Sequence, residues 1–407
     1  MSAMLFNVCN YGFHFVVSRG IPTPNYGDLY ALITALSAFA VITTTISTAL
    51  VRHTAELAAR NDFGAIRSLH RRVLQWCSIA GGTAFIGGLA ASPWIISFLK
   101  LDHPRQLPPF ALLLGLTLIV PPLRAMIQGL QQFGEFAVSL SVEGLGKFVF
   151  GALAVYLGFR GFGALYGIAI AMCFALIYTE LTLYRRLRAV APQPEMLNLA
   201  RLFSTASGAF AATLATTALL SVDTILAKHY LTPYDAGLYS AVALAGKLIM
   251  FAVGFAPTLL LPKLTEASTN GQSSRRLLLG AAAATIACSG GLLAIYGLAP
   301  GLVLHVLVGS KYESASSFVF MYAIAMTALT LTSLVLTSRI AQHRFGFVGP
   351  LLFVAGAEAV AIVLHHGSIR DIVSVVLVAQ IVALGASLLP ERAPARLAQS
   401  RALETAA

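Results

Sequence analysis

Charge is what this sequence lacks. Only 11% of its 407 residues are Asp, Glu, Lys or Arg, where a soluble domain carries roughly 25%. So thin a supply cannot cover a water-facing surface, which excludes an ordinary soluble enzyme or binding domain. Acids are the scarcer sign, 16 against 27 bases, and they are scattered. Chemistry that needs paired carboxylates on a sizeable loop therefore has little to draw on. Cysteine is nearly absent too. Cys9, Cys77, Cys173 and Cys288 fall singly inside apolar runs. That excludes a disulfide framework or a thiol metal cluster and reads as small buried hydrophobes. No P-loop occurs, so direct ATP hydrolysis is not expected. Gly161, Gly163 and Gly167 mimic a nucleotide loop only superficially, because no strand precedes them, and they read as close helix packing. His365 and His366 have no companion ligands. The amino-terminal stretch has no basic n-region and no small-residue cleavage site, so it reads as a retained first helix and not a signal peptide. No cofactor and no metal are expected.

What is there is apolar. Hydrophobic residues make up 57% of the chain, and the mean hydropathy is +0.80. A helix needs about 20 apolar residues to cross the hydrocarbon core, and the length allows roughly a dozen crossings. The runs are long and unbroken, whereas barrel strands would be near ten residues and alternating. The sequence therefore predicts an all-α, polytopic membrane protein. Twelve segments are expected, near 2–18, 27–51, 73–99, 108–130, 136–157 and 163–184, then 202–227, 237–261, 277–298, 318–338, 345–364 and 372–389. The fourth should kink at Pro121 and Pro122.

One stretch occurs twice. Ser18 to Tyr30 reads SRGIPTPNYGDLY, and Ala227 to Tyr239 reads AKHYLTPYDAGLY. Setting Thr23 on Thr232 aligns Pro24 with Pro233, Leu29 with Leu238, Tyr30 with Tyr239 and Arg19 with Lys228. In each copy a basic residue closes one apolar helix and a Leu-Tyr pair follows the turn into the next. Two similar halves are expected: an N-terminal six-helix lobe over 1–184, a linker over 185–201, a C-terminal six-helix lobe over 202–389 and a polar tail over 390–407. Internal repeats that meet at a midplane site are a common way to build a transporter.

The net charge of +11 sits in short loops between apolar runs and shows no nucleic-acid module. Loops after even-numbered segments, with the tail, hold 18 of the 27 bases, and loops after odd-numbered segments hold seven. The positive-inside rule then places the even side and both termini in the cytoplasm.

Four motifs carry a resemblance. Arg19-Gly20-Ile21-Pro22 leads to Tyr26-Gly27. Ala49-Leu50-Val51-Arg52 is followed by Ala55-Glu56. Gln128-Gly129-Leu130 precedes Phe133-Gly134. Val222-Asp223 comes before Ala236-Gly237-Leu238-Tyr239. In this order the chain, from about Asn7 to Leu389, resembles bacterial polysaccharide flippases of the multidrug/oligosaccharidyl-lipid/polysaccharide exporter superfamily. The resemblance implies two six-helix lobes in a V around a cavity with alternating access. It also implies a lipid-linked oligosaccharide carried between leaflets of the inner membrane, with glycosyltransferases and a glycan polymerase as partners. Some relatives carry two further C-terminal helices; a chain of twelve favours the oligosaccharide branch.

A charge near the bilayer centre costs about 2.5–3.5 kcal/mol on insertion scales, so each should face a cavity or a partner. Glu143 and Lys147, four apart, share a helical face where they can pair. Lys247 has no acid within a turn and needs a partner from another helix or a substrate phosphate. Asp223 fits an interhelical hydrogen bond or H+ or Na+ coupling. Arg52 extends a polar row with Thr44 and Thr48. Arg124 follows the prolines. Arg19 and Lys228 form an interfacial anchor or a cationic rim. Hydroxyl rows at Thr213, Thr217 and Ser221, and at Thr330, Ser333 and Thr337, can bind sugars or join helices. Glu358 is placed peripherally by the family arrangement. The expected substrate contacts are Arg19, Arg52, Arg124, Lys147 and Lys247, and the expected ion-coupling residues are Asp223 and Glu143. Competing readings are a drug or metabolite cation antiporter, which should place acids in its cavity, and a membrane glycan-assembly enzyme.

Overall fold

The fold is that of a computed structural model, which describes residues 2–193, 199–253, 275–342 and 344–389. The expected tail over 390–407, the basic loop around Lys263 and part of the linker lie outside the described residues. Among the described residues there are helices and no strand. The first half holds α1 (Ser2–Gly20), α2 (Thr23–Phe39), α3 (Val41–Ala59), α4 (Phe63–Ala90), α5 (Ser92–Leu99), α6 (Leu107–Gly129), α7 (Phe133–Tyr156) and α8 (Gly161–Leu187). The second holds α9 (Leu199–Tyr230), α10 (Pro233–Val253), α11 (Arg275–Leu298), α12 (Pro300–Leu307), α13 (Ser316–Ala341), α14 (Val348–Leu364) and α15 (Ile369–Leu388). Nine described helices are long and apolar enough to cross a membrane, and α2 with α3 forms a tenth, bent span. With α1 and α14, each of the twelve apolar segments coincides with a helix or a bent pair.

The bend falls where the sequence does not announce it. α6 runs unbroken through Pro121 and Pro122, while α2 and α3 meet at Ala40 at 40° without a proline. The cause lies in the run after Ala40. Val41, Ile42, Thr43, Thr44, Thr45 and Ile46 are all β-branched and crowd the preceding turn. Thr43 Oγ1 donates to the Ala40 carbonyl at 2.8 Å and Thr44 Oγ1 to that of Val41 at 2.7 Å, a back-bonding that bends helices. At the start of α4, Asp62 accepts from the Ala65 amide at 2.9 Å and caps the helix.

Two short helices were not anticipated. The third expected segment is α4 followed by α5, and the ninth is followed by α12. Each short helix has eight residues with a proline in its first turn. The chain leaves them through left-handed residues, Lys100 at φ 48° and Gly309 at φ 109°. The repeat of the α1–α2 and α9–α10 turns thus extends to the third helix of each half.

The halves join at one end. α2 packs on both α9 and α10, and α3 reaches α9. The larger buried core crosses both halves there, with Tyr26, Leu29, Tyr239, Tyr312 and Tyr322, and continues through the second half to Phe347 and Ala383. A second core, including Leu50, Ile66, Leu69, Leu123, Met126 and Leu183, lies toward the other end and belongs to the first half alone. Contact between α2 and α10 is at backbone distance. A Cβ on Gly27 would sit 2.9 Å from the Gly237 nitrogen, and one on Gly237 would sit 2.2 Å from the Thr23 carbonyl oxygen. Toward the other end, Arg67 donates to the carbonyls of Arg188 and Val190, tying the start of the linker to α4.

Candidate functional site

The repeated turns meet at the joined end and close it. Lys228, at the end of α9, brings its Nζ 2.6 Å from Asp28 Oδ1 on α2, and both side chains are buried, at 2% and 0% exposure. The other oxygen of Asp28 accepts from Gln106 Nε2 at 3.0 Å and from the Asp102 amide at 3.2 Å. Asn25 reaches Asp102 at 3.4 Å. A buried charge survives when it is paired and its remaining lone pairs are bonded. Here the pair spans the two halves.

The same end carries reciprocal caps. The guanidinium of Arg19 donates to the carbonyls of His305, Val306 and Leu307 at 2.7, 2.9 and 3.4 Å, the free carbonyls of the last turn of α12. In the other half, His229 Nδ1 lies 2.5 Å from the carbonyl oxygen of Phe98 in the last turn of α5. A cation or donor at a helix C-terminus satisfies its carbonyls and opposes its dipole. Ser18 Oγ donates to Val308 O at 3.0 Å, Tyr312 OH to Ser18 O at 3.3 Å, and Lys311 to Ile21 O. Each half's short helix is therefore finished by the opposite half's turn.

Within the first half a polar cluster links four helices. Arg124 on α6 meets Glu143 on α7 at 2.5 Å and Ser139 Oγ at 3.0 Å. Ser139 in turn meets Thr179 of α8 at 2.8 Å. One turn on, Lys147 donates to Asn10 Oδ1 of α1 at 2.5 Å and lies over the Phe13 ring. Nearby, His14 and Tyr26 meet at 3.3 Å. The expected pairing of Glu143 with Lys147 is thus replaced. Their spacing does put them on one side of α7, but α6 and α1 flank that side and offer closer partners.

The second half has its own cluster. Asp223 on α9 accepts from Tyr239 OH at 2.7 Å and Tyr322 OH at 2.5 Å. Lys247 on α10 donates to Thr224 Oγ1 at 3.0 Å, lies 4.0 Å from Asp223 Oδ1 and faces the ring of Tyr30 from the first half. Glu358 on α14 is buried. It accepts from Gln380 Nε2 at 3.4 Å, and that amide also donates to Leu219 O at 3.0 Å.

Of the seven candidate residues, Arg124, Glu143 and Lys147 gather in one half, and Asp223 and Lys247 in the other. Arg19 stands at the closed end. Arg52 stands apart, its side chain 75% exposed and bonded to Glu56 at 2.9 Å. Thr330, Ser333 and Thr337 bond back to carbonyls of their own helix. Asp28, Gln106, Tyr239 and Tyr322 were missed. Asp28 and Tyr239 stood inside the repeated stretch. The break in its symmetry, Asp28 against Gly237, was the available signal.

Comparison with known proteins adds family and fold. A family model described as polysaccharide biosynthesis protein matches residues 1–268. A search of curated proteins finds no match. Among solved structures, an inward-facing multidrug resistance MATE family transporter of the MOP superfamily aligns with a TM-score of 0.78 at 12% identity, over 99% of this chain and 96% of that one. The outward-facing conformation of a MATE family transporter gives 0.59 at 12% identity, over 95% and 91%. The lipid II flippase MurJ, in an inward closed conformation, gives 0.65 at 13% identity, over 95% and 87%.

Proposed function

The chain belongs to the polysaccharide biosynthesis protein family, and from that premise we propose that it carries a polyprenyl-diphosphate-linked oligosaccharide from the inner to the outer leaflet of a bacterial inner membrane. The diphosphate and sugars cannot cross hydrocarbon unaided, while the polyprenyl tail can stay in lipid. The observation that carries this reading is the interior of the first half, where Arg124 and Lys147 outnumber Glu143. Charge-assisted hydrogen bonds to phosphate are the strong ones, more so away from water.

In this reading the N-terminal lobe is 1–184, the linker 185–201, the C-terminal lobe 202–389 and the tail 390–407. The loop-charge imbalance supports a cytoplasmic location for both termini. The joined end then faces outward, and alternating access requires it to part while the other end closes. Arg52 meets the headgroup at the cytoplasmic entrance. Arg124, Lys147 and Lys247 shelter the diphosphate. Arg19 receives it at the outer rim once its bonds to α12 open. Asp223 and Glu143 couple the cycle to H+ or Na+. Glycosyltransferases supply the substrate and a polymerase consumes it.

The cation-antiporter reading draws on Asp223 and Glu358, and one experiment separates the two. The protein is reconstituted in vesicles with a fluorescent lipid-linked oligosaccharide, and outer-leaflet exposure is read by a membrane-impermeant quencher. Exposure should rise with wild-type protein and fall at least about tenfold, or ~1.4 kcal/mol, with Arg124→Gln or Lys147→Gln. Cation efflux without glycolipid exposure would replace the flippase with the antiporter.

A further inference from the structure

Acids and bases at the joined end choose their partners differently. Acids there are held by their own half. Glu313 pairs with His305 at 2.6 Å, Asp235 accepts from Thr232 Oγ1 at 2.7 Å, and Asp102 is met by Asn25 at 3.4 Å. Asp28 has its countercharge across the gap, on Lys228, but its Oδ2 keeps Gln106 Nε2 and the Asp102 amide, both of the first half. The bases do the opposite. Lys228 has Asp28 Oδ1 at 2.6 Å and no second partner among the described residues. Arg19 keeps the carbonyl and ring of Phe15 on its own helix, and its remaining bonds all go to α12. Lys311, in the turn between α12 and α13, donates to the carbonyls of Arg19 and Ile21 in the first half and otherwise faces only the ring of its neighbour Tyr312.

Parting the halves therefore strips the bases and leaves these acids bonded. Three cations, one from the first half and two from the second, lose partners together. Of the carboxylates named, Asp28 alone loses a countercharge. Three positive charges against one negative leave a surplus of two. That is the formal charge of a diphosphate diester, the linkage in the proposed substrate. All three bases stand in loops after odd-numbered segments, the outer side in the proposed topology.

We propose that the parted end is a diphosphate site assembled from Arg19, Lys228 and Lys311, and that Asp28 and the facing carbonyls are stand-ins that hold these bases while no headgroup is there. The site rests on the flippase reading and deepens it, adding Lys228 and Lys311 to Arg19 at the outer mouth. Arg124, Lys147 and Lys247 hold the same headgroup earlier in the cycle, before the mouth parts. Cations gathered in a cleft with low-dielectric walls focus their field on an arriving anion, and charge-assisted bonds to phosphate are strong. The site exists in one conformation alone, so its ligand favours that conformation. An empty carrier is held shut at this end, and the headgroup itself draws the mouth open.

The probe is inorganic pyrophosphate, which carries the charge without sugar or tail. Full-length protein with Cys9, Cys77, Cys173 and Cys288 replaced by serine is spin-labelled near the outer ends of α2 and α10 and placed in nanodiscs. Pyrophosphate should lengthen the distance between labels saturably. Its half-maximal concentration should lie at least about tenfold below that of sulfate at matched ionic strength. Lys228→Met combined with Asp28→Leu, which removes the cation and leaves the closed end apolar, should raise that concentration about tenfold. Lys311→Gln, at a half-buried position, should raise it about threefold. No lengthening, equal lengthening by both anions, or a wild-type response in both variants would overturn the site. The vesicle exposure measurement stands apart from this one. Glycolipid exposure by a protein blind to pyrophosphate removes the site and keeps the flippase; a saturable pyrophosphate response without glycolipid exposure does the reverse.

Discussion

In the N-terminal half two bases, Arg124 and Lys147, surround one acid, Glu143; in the C-terminal half two acids, Asp223 and Glu358, accompany one base, Lys247. The formal sums are +1 and −1, and the clusters stand on different helices of the plan: Arg124, Glu143 and Lys147 on α6 and α7, Asp223, Lys247 and Glu358 on α9, α10 and α14. The settings differ as well. The first cluster keeps Glu143 partly exposed, at 17%. The second is sealed by two tyrosine hydroxyls on one carboxylate. The two halves thus differ in the formal charge of their polar interiors. In the proposed function the bases of the first cluster shelter the diphosphate and Asp223 of the second takes part in ion coupling, and that assignment can be attacked at several points.

The hardest test removes the contact that holds the halves together. Lys228→Ala leaves Asp28 buried without its countercharge, a loss typically worth about 3–5 kcal/mol. We expect a large drop in thermal stability in detergent and a protein that parts at the joined end. Lys228→Met combined with Asp28→Leu should recover most of the stability. If the double variant melts no higher than the single one, the pair is not the clasp.

A smaller effect is expected at the backbone crossing. Gly237→Ala places a methyl against the Thr23 carbonyl, an overpacking that usually costs about 1–3 kcal/mol. Spin labels on α2 and α10 should report a longer distance at that end, with both polar clusters untouched. An unchanged distance distribution would show that the halves are not held by this contact.

The sign difference itself is sharpened by a matched pair. Glu143→Gln should leave glycolipid exposure within about tenfold of wild type, ~1.4 kcal/mol, because the bases remain, and should weaken its dependence on an imposed Na+ or H+ gradient. Asp223→Asn should flatten that dependence. A gradient dependence unchanged in both variants would remove the two acids from coupling. The smallest effect belongs to Arg52→Ala. Its exposed bond to Glu56 is worth no more than about 0.5 kcal/mol of stability, so melting should not move. A rise in the substrate concentration needed for half-maximal exposure would place Arg52 at the entrance, and no change would remove it from the path.

Much of the fold was legible because long apolar runs have few structural options in lipid. Run length gave the helical class and the approximate limits of most spans. What it hid were features written in short range or in three dimensions. The bend at Ala40 comes from a β-branched, threonine-rich run, a weaker signal than the proline pair that leaves α6 intact. The helices α5 and α12 are too short to cross a bilayer and blended into their neighbours. Among candidate residues, charge inside an apolar run was a sound guide to burial for Arg124, Lys147, Asp223 and Lys247. Partners were harder. The spacing of Glu143 and Lys147 described one helix, whereas the flanking helices decided the bonds. Asp28 escaped because it lies beside a turn, where a carboxylate raises no alarm.

The mutual finishing of α5 and α12 bears on protein engineering. A chimaera that grafts one half of this protein onto the complementary half of a distant homologue would inherit two unfinished helix ends. Arg19 would find no matching carbonyls in the graft, and the Phe98 carbonyl no imidazole. Hybrid chains of this kind should come apart at the joined end unless both turns and both short helices travel together.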